Sequence, residues 1–450
     1  MEFFPLLKFN WKEIIHSPHS REIVIVFAIQ AFALIASLTI SLIITNLLGA
    51  AAYGAFSYGF SWVNLLATFS CMGYEQLALK ELPSYRVQNR NDLIRGYFLH
   101  SMKMVFIISV LVSLLLFGVS WFLQQPSDEM LRKGLWLAVP VLPVIAMINL
   151  RLSWLRSFHF NAQSQLPDKV IRPAIFLLAV LISYGILKDK LNVWLIILLS
   201  AGSIVIALLA GNFFIREKIT SAVGGIPPSY LRWQWTKVAF SFLLVNGIYF
   251  YFSQLQIIAL GSFKGAKETG IFAIASRLSD LEGYMLFAMN VVLAPVISKL
   301  FAENNLQELQ RVITNSLRIG FILSFPVMIC FLLFPAFFLG FFGDEFGEGK
   351  FTLVLLTISQ MVNFGTGSVG YLLTMTGHQR TAIQLLFLCA LLTTLLSVLL
   401  IPKFGVNGAA IAAATNSIVL NVLMAIAVYR KIGINSTLIV IRGTRIANRD

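Results

Sequence analysis

Charge is what this chain has least of. Of its 450 residues, 12% are Asp, Glu, Lys or Arg, while 58% are hydrophobic. That balance excludes a soluble domain, whose surface needs about twice as many charged residues. The three cysteines, Cys71, Cys330 and Cys389, all fall in apolar runs. Their spacing excludes a disulfide framework and a thiolate metal site. Catalytic signatures are missing too. There is no Walker loop, so the chain is not expected to hydrolyse ATP, and no Ser/His/Asp arrangement stands out. His16, His19, His100, His159 and His378 sit at the ends of apolar runs or between them, where interfacial placement is the default. No cofactor, metal or enzymatic activity is expected. Nor is there a polar stretch long enough for a soluble domain. The first residues carry Glu2, Lys8, Lys12 and Glu13 among aromatics, without the pattern of a cleavable signal. Residues 1–22 are read as an interfacial segment, with Phe3, Phe4, Phe9 and Trp11 at headgroup level; a frayed tail is the alternative.

The chain is instead a succession of apolar runs, each long enough to cross about 30 Å of hydrocarbon. Backbone groups in lipid must be bonded within the segment, so the runs are helices. Twelve are expected, at 23–48, 55–79, 104–123, 135–150, 171–187, 193–215, 238–260, 270–298, 317–342, 351–375, 381–401 and 408–428. This is an all-α polytopic membrane protein. Its longest loops are 80–103 and 216–237, the second broken by Gly224, Gly225, Pro227 and Pro228. That loop divides the chain into a six-helix bundle over 23–215 and another over 238–428, with 216–237 as linker and 429–450 as a basic tail. If the N-terminus is cytoplasmic, the outer loops hold eight of the 34 basic residues: Arg132, Lys133, Lys188, Lys190, Lys264, Lys267, Lys350 and Lys403. Arg277 lies within a span, and the rest lie inside. This bias fits the positive-inside rule with both termini cytoplasmic. It also accounts for the net charge of +14 as an orientation signal that holds anionic lipid headgroups, not nucleic acid.

The two halves look related. Gly49, Ala50, Gly54 and Phe56 coincide with Gly265, Ala266, Gly270 and Phe272 at a constant offset, each set at the turn between the first and second span of its half. In the same register Asp280 falls on Asn64. Repeats of six helices about an axis along the membrane normal are a common transporter plan.

The second of these stretches carries the sharpest signal. Arg277, Asp280 and Glu282 lie inside the eighth span. A charge at such depth costs about 2.5–3.5 kcal/mol on insertion scales, so it faces a partner or a wet cavity. From a start near Gly270, Arg277 lies about 10 Å and Asp280 about 15 Å below the surface. Spaced three apart, the two share a helix face and can pair; Glu282 projects elsewhere. The group reads either as a structural ion pair locking two helices or as a substrate or coupling-ion site, with Asn64 as its counterpart in the first half. Glu75, at the end of the second span, is a snorkelling charge or a gate at the cytoplasmic mouth. Arg151 and Arg156 are positive-inside anchors, or forks that capture an anionic headgroup there. Asn246, Gln254, Gln256, Asn290, Gln360, Asn363, Asn416 and Asn421 read mostly as interhelical hydrogen-bonding groups. Pro326 and Pro335 in the ninth span, and Gly365, Gly367 and Gly370 in the tenth, mark bends or close packing.

Four stretches carry a resemblance: Leu48-Gly49-Ala50-Ala51-Ala52-Tyr53-Gly54, Leu293-Ala294-Pro295-Val296-Ile297-Ser298, Phe341-Phe342-Gly343-Asp344-Glu345-Phe346 and Phe404-Gly405-Val406-Asn407-Gly408. In order and spacing the chain resembles the polysaccharide-transporter (Wzx-type) flippases, of the superfamily that also holds multidrug exporters and lipid II flippases. The resemblance implies two six-helix bundles forming a V around a central cavity. It implies movement of an undecaprenyl-diphosphate-linked oligosaccharide from the inner to the outer face of a bacterial inner membrane, for O-antigen, lipopolysaccharide, capsule or exopolysaccharide assembly. A polysaccharide polymerase and a chain-length regulator are the implied partners. On that reading Arg277 binds phosphate, and Asp280 or Glu282 carries a coupling proton or Na+. Family members have cationic cavities, whereas here Arg277 is the clear mid-depth cation and Asp280 stands beside it. The alternatives are a multidrug/cation antiporter of the same superfamily and, further off, a membrane enzyme of glycan polymerisation.

Overall fold

A computed structural model describes residues 18–124, 126–187, 191–217 and 225–438. The expected interfacial stretch around Phe3, Phe4, Phe9 and Trp11, the outer lysines Lys188 and Lys190, and the basic tail residues Arg442, Arg445 and Arg449 lie outside the described residues. Among those described there are helices and no strand. In chain order they are α1 (Pro18–Ser70), α2 (Tyr74–Val87), α3 (Asn91–Phe122), α4 (Glu129–Ala138), α5 (Leu142–Ser157), α6 (Asn161–Leu166), α7 (Arg172–Leu187), α8 (Val193–Ile215), α9 (Arg232–Lys264), α10 (Ala266–Ala302), α11 (Leu306–Leu333), α12 (Pro335–Gly340), α13 (Lys350–Thr366), α14 (Val369–Met375) and α15 (Gln379–Ile432). Seven described helices are long and apolar enough to cross a membrane, or nine if two bent pairs each count as one span. Each of the twelve expected spans falls on a helical stretch, because α1 and α15 each carry two. Their breaks are Gly49 (φ 79°) and Gly405 (φ 54°), left-handed conformations that a side chain disfavours.

Two expected boundaries are corrected. The second span ends at Ser70, not at residue 79. Met72 and Gly73 both take positive φ, and a new helix, α2, starts at Tyr74. Glu75 therefore opens a separate helix instead of closing the span. The ninth span breaks at Phe334, before Pro335, whose ring removes a backbone donor and ends α11. In the tenth span Gly367 (φ 71°) separates α13 from α14 with a 41° bend.

By its contacts the chain divides into two units. The first holds the chain up to Ile43, Trp62–Gln124 and Lys133–Gly247; the second holds Ile44–Ser61, Gln125–Arg132 and the chain from Ile248 on. The first unit is knit by buried aromatics with hydroxyl or N–H handles, which need polar partners when buried. Tyr74 Oη meets Thr236 Oγ1 at 2.8 Å and His100 Nε2 at 3.0 Å, Tyr97 Oη donates to the Tyr74 carbonyl at 2.6 Å, and Trp235 Nε1 donates to Tyr85 Oη at 2.9 Å. The chain before α9 is tied to α3, with Ser229 N–H donating to the Asp92 carbonyl at 3.1 Å.

In the second unit three glycine turns share one device. Each glycine has positive φ, and the N–H that follows it is taken by a carboxylate remote in sequence. Glu345 Oε2 accepts from Ala50 N at 2.9 Å, after Gly49. Asp128 Oδ2 accepts from Ala266 N at 2.8 Å, after Gly265. Glu268 Oε2 accepts from Val406 N at 2.9 Å, after Gly405. Each carboxylate satisfies a donor that opens a helix and sits where the macrodipole favours negative charge. Nearby, Glu348 lies 2.7 Å from the Lys267 ammonium, whose pKa it raises above the ordinary value.

Asp128 has a double duty. Its Oδ1 also accepts from Met130 N at 2.8 Å and Leu131 N at 3.3 Å, so one carboxylate caps α4 and α10 together. Asp128→Ala is expected to cost about 2–3 kcal/mol, from a lost cap plus a charge-assisted hydrogen bond. Asp128→Asn, which keeps one good acceptor oxygen, should cost about half as much. Thermal melts of the purified protein in detergent check both, and equal losses would show that the two oxygens do not act separately.

Candidate functional site on α10

Helix α10 leaves its Gly265 turn against the second segment of α1, and the contact is reciprocal. A Cβ placed on Gly54 would lie 1.9 Å from the Ala266 carbonyl oxygen, and one on Gly270 would lie 2.0 Å from the Ala50 carbonyl oxygen. The repeat-related positions thus pack on each other, glycine of one against alanine carbonyl of the other. Small residues let the backbones approach this closely, as in other small-xxx-small membrane crossings.

Two turns further on, the three expected groups part company. Arg277 is half-buried, and its Nη1 donates to Tyr53 Oη at 2.8 Å. Asp280 is exposed and makes no hydrogen bond or ion pair with any described residue. The Arg277–Asp280 ion pair that their spacing allows is therefore not formed. The arginine reaches across to α1, and its charge acts on Asp280 only through space. Glu282 points elsewhere, as expected. It is 2% exposed, sealed between α10 and α13, and accepts from Thr357 Oγ1 at 2.9 Å, while its second oxygen, Oε2, is buried with no hydrogen-bond partner. Beside it, a Cβ on Gly283 would make an ordinary contact with Gln360 Nε2, at 3.7 Å. Leu286, Met328 and Phe364 form an apolar cluster next along the helices. Asn64 is half-buried and belongs to the first unit, whereas Arg277, Asp280 and Glu282 belong to the second.

The expected mouth residues also separate. Glu75 and Arg156 are neighbours, close enough for their charges to interact, and Glu75 Oε1 is buried without a hydrogen bond. Arg151 is on another face of α5. Its guanidinium is committed to Asn212 Oδ1 and to Met102 Sδ, the latter at 3.5 Å. Five residues on a helix turn the side chain by about 140°, so Arg151 and Arg156 cannot form one fork. The neutral polar residues are more local than expected. Asn246, Gln254 and Asn421 bond within their own helices, while Gln256 bridges to another helix, at Thr393 and Ser397 (3.3 and 3.5 Å). Asn363 bonds Gln360 within α13, and Asn290 and Asn416 each bury an unbonded Oδ1.

Sequence reasoning missed Tyr53 and Thr357. Tyr53 lies inside the Gly49–Gly54 stretch, and a tyrosine among small residues at a buried turn was the available signal. For Thr357 there was none.

Comparison with known proteins gives the family and the fold. The family model described as polysaccharide biosynthesis protein matches residues 20–301, and the MatE model matches 238–399. The probable low-salt glycan biosynthesis flippase Agl15 of Haloferax volcanii is 29% identical over 182 residues, which are 40% of this chain and 38% of that protein. The chain thus matches well under half the length of that relative. An inward-facing multidrug resistance MATE family transporter of the MOP superfamily superposes with a TM-score of 0.73 at 14% identity, covering 89% of this chain and 98% of the other. The lipid II flippase MurJ in an inward closed conformation gives 0.71 at 14% identity, covering 90% and 86%. At such identity the likeness is one of fold. The chain belongs to the polysaccharide biosynthesis protein family and shares the fold of MOP-superfamily transporters.

Proposed function

We propose that this chain is a flippase. It moves a polyprenyl-diphosphate-linked oligosaccharide from the inner to the outer face of a membrane by alternating access. In a bacterial inner membrane the carrier is undecaprenyl diphosphate, and the product feeds O-antigen, capsule or exopolysaccharide assembly by a polymerase and a chain-length regulator. Both termini are cytoplasmic, which follows from the distribution of Lys and Arg. The observation that carries the reading is Arg277. It is a half-buried guanidinium on α10, hydrogen-bonded to Tyr53 and out of contact with Asp280. A guanidinium offers five donors in a fork that matches phosphate oxygens. The Haloferax relative, named as a probable flippase of low-salt glycan biosynthesis, supports the same class of substrate. With the interior negative, outward movement of an anionic headgroup is favoured by about 2.3 kcal/mol per charge per 100 mV. Coupling to H+ or Na+ would add to this, with Glu282, buried and half-satisfied, as its carrier.

A second reading, a multidrug/cation antiporter, draws on the MatE match and the exposed Asp280 carboxylate. Complementation separates the two. In a strain lacking its own polysaccharide flippase, the parent chain is expected to restore surface polymer, and Arg277→Ala to lower it at least tenfold at equal membrane abundance. Asp280→Asn should lower it less, because Asp280 makes no contact that Arg277 needs. Restoration by Arg277→Ala to parental level would remove the guanidinium from the substrate path. Drug resistance conferred by the parent and lost in Asp280→Asn, without polymer, would favour the antiporter.

A further inference from the structure

Tyr53 sits in the Ala50–Gly54 turn of α1, 2% exposed. Its ring packs toward Phe56 (centroids 6.3 Å apart), which in turn packs at a tilt against Phe60 at 4.8 Å. The ring therefore moves with this segment of α1 and not on its own. The segment is fixed in two ways. Glu345 holds its Ala50 N–H, and Gly54 and Gly270 bring it against α10 with no room for a single added carbon. Arg277 leaves α10 two turns below that crossing, and its Nη1 ends 2.8 Å from Tyr53 Oη. A hydrogen bond of this length does not survive a displacement of an ångström or two. The bond can then exist only while the two segments are in contact.

We propose that Tyr53 is a positioning residue for Arg277, and that their bond couples the guanidinium to the crossing of Ala50–Gly54 with Ala266–Gly270. Closing the crossing sets the guanidinium; drawing the guanidinium away loosens the crossing. Linkage makes the two effects equal in size. The second half of the idea, that an anionic phosphate group is what draws Arg277 away, rests on the phosphate reading of Arg277 given above; the coupling itself does not.

Hydrogen–deuterium exchange of the purified full chain in detergent tests it. The amides of residues 50–56 and 266–272 report the crossing, because opening must precede exchange. Tyr53→Phe, which removes one oxygen and keeps the ring, is expected to raise exchange there about tenfold, the scale of a lost hydrogen bond to a charged group. Arg277→Gln should raise it too, and the double variant should fall short of the sum of the two, since the bond they share can be lost only once. Exchange in peptides of the first unit serves as the folding control. If either single variant leaves the crossing at the parental rate, or if the two effects add, the coupling is wrong. Inorganic pyrophosphate added to the parent should speed exchange in the same peptides and have no such effect on Tyr53→Phe. If the variants behave as expected and pyrophosphate changes nothing, the coupling stands and the phosphate reading falls.

Discussion

Glu282→Leu is expected to raise the thermal stability of the protein while abolishing transport. The carboxylate is 2% exposed, accepts one hydrogen bond, from Thr357, and buries Oε2 without a partner. A charged group taken out of water and left half-satisfied costs several kcal/mol, and even its neutral form leaves an acceptor or a donor unmet. Leucine is close in volume and would sit beside Leu286, Met328 and Phe364. Replacing a buried ionic group by a packed apolar one stabilises by about 1–4 kcal/mol in comparable cases. The gain is partly offset here, because Thr357 is fully buried and loses the acceptor for its hydroxyl. Thr357→Val alone should go the other way, by about 1–3 kcal/mol, since it strips Glu282 of its donor. The double variant Glu282→Leu with Thr357→Val should be the most stable of the set, a non-additive result expected of two groups in contact. Thermal melts in detergent read the stability, and the complementation assay reads function. A residue kept at such a cost in stability is retained for what it does. Glu282→Leu that is both less stable than the parent and still active would show instead that the carboxylate is a structural group.

Some of this was legible in the chain itself. The apolar runs, the glycine turns and the repeat relating Gly49–Phe56 to Gly265–Phe272 are local patterns, set by helix length and by which residues accept positive φ. What those patterns could not carry is partnership across the chain. Asp128, Glu345 and Glu268 carry no local sign of a partner, yet each caps a helix start 138 to 295 residues away. Arg277 and Asp280 show the same limit from the other side. Their spacing put them on one face, where a local pair was one of two readings. The hydroxyl of Tyr53, 224 residues earlier, takes the arginine instead. Helical spacing tells which neighbours are within reach; it does not tell which of them competes successfully for the donor. The second-span boundary failed for a related reason. Hydropathy runs on through Met72 and Gly73, but the backbone turns there, and only the conformation reveals that Glu75 starts a helix of its own.

The repeat also leads to the largest structural effect. Gly54→Val and Gly270→Val are each expected to cost more than 3 kcal/mol and to deplete the protein from the membrane. At both positions the first side-chain atom would lie about 2 Å from a backbone carbonyl oxygen, which cannot rotate aside as a side chain can (1.9 Å at Gly54 and 2.0 Å at Gly270). The helices must separate, and overpacking of a formed interface costs about 1–3 kcal/mol before the added bulk of a branched residue. Separation also pulls Ala50 and Ala266 from the carboxylates of Glu345 and Asp128, leaving charged acceptors unmet. The alanine variants should show the same pattern in milder form. Because one displacement relieves both clashes, Gly54→Ala with Gly270→Ala should cost less than the sum of the two. Gly118 and Gly185 provide the control. A Cβ at either meets no atom within 4 Å, so alanine there should be neutral or stabilise by about 0.5–1 kcal/mol through helix propensity. Membrane abundance and melting temperature measured across the seven variants would decide the matter. If Gly54→Val and Gly270→Val differed greatly, one of the two contacts would be dispensable, and the pseudo-symmetry of the crossing would be a relic of the repeat without a share in holding α1 to α10.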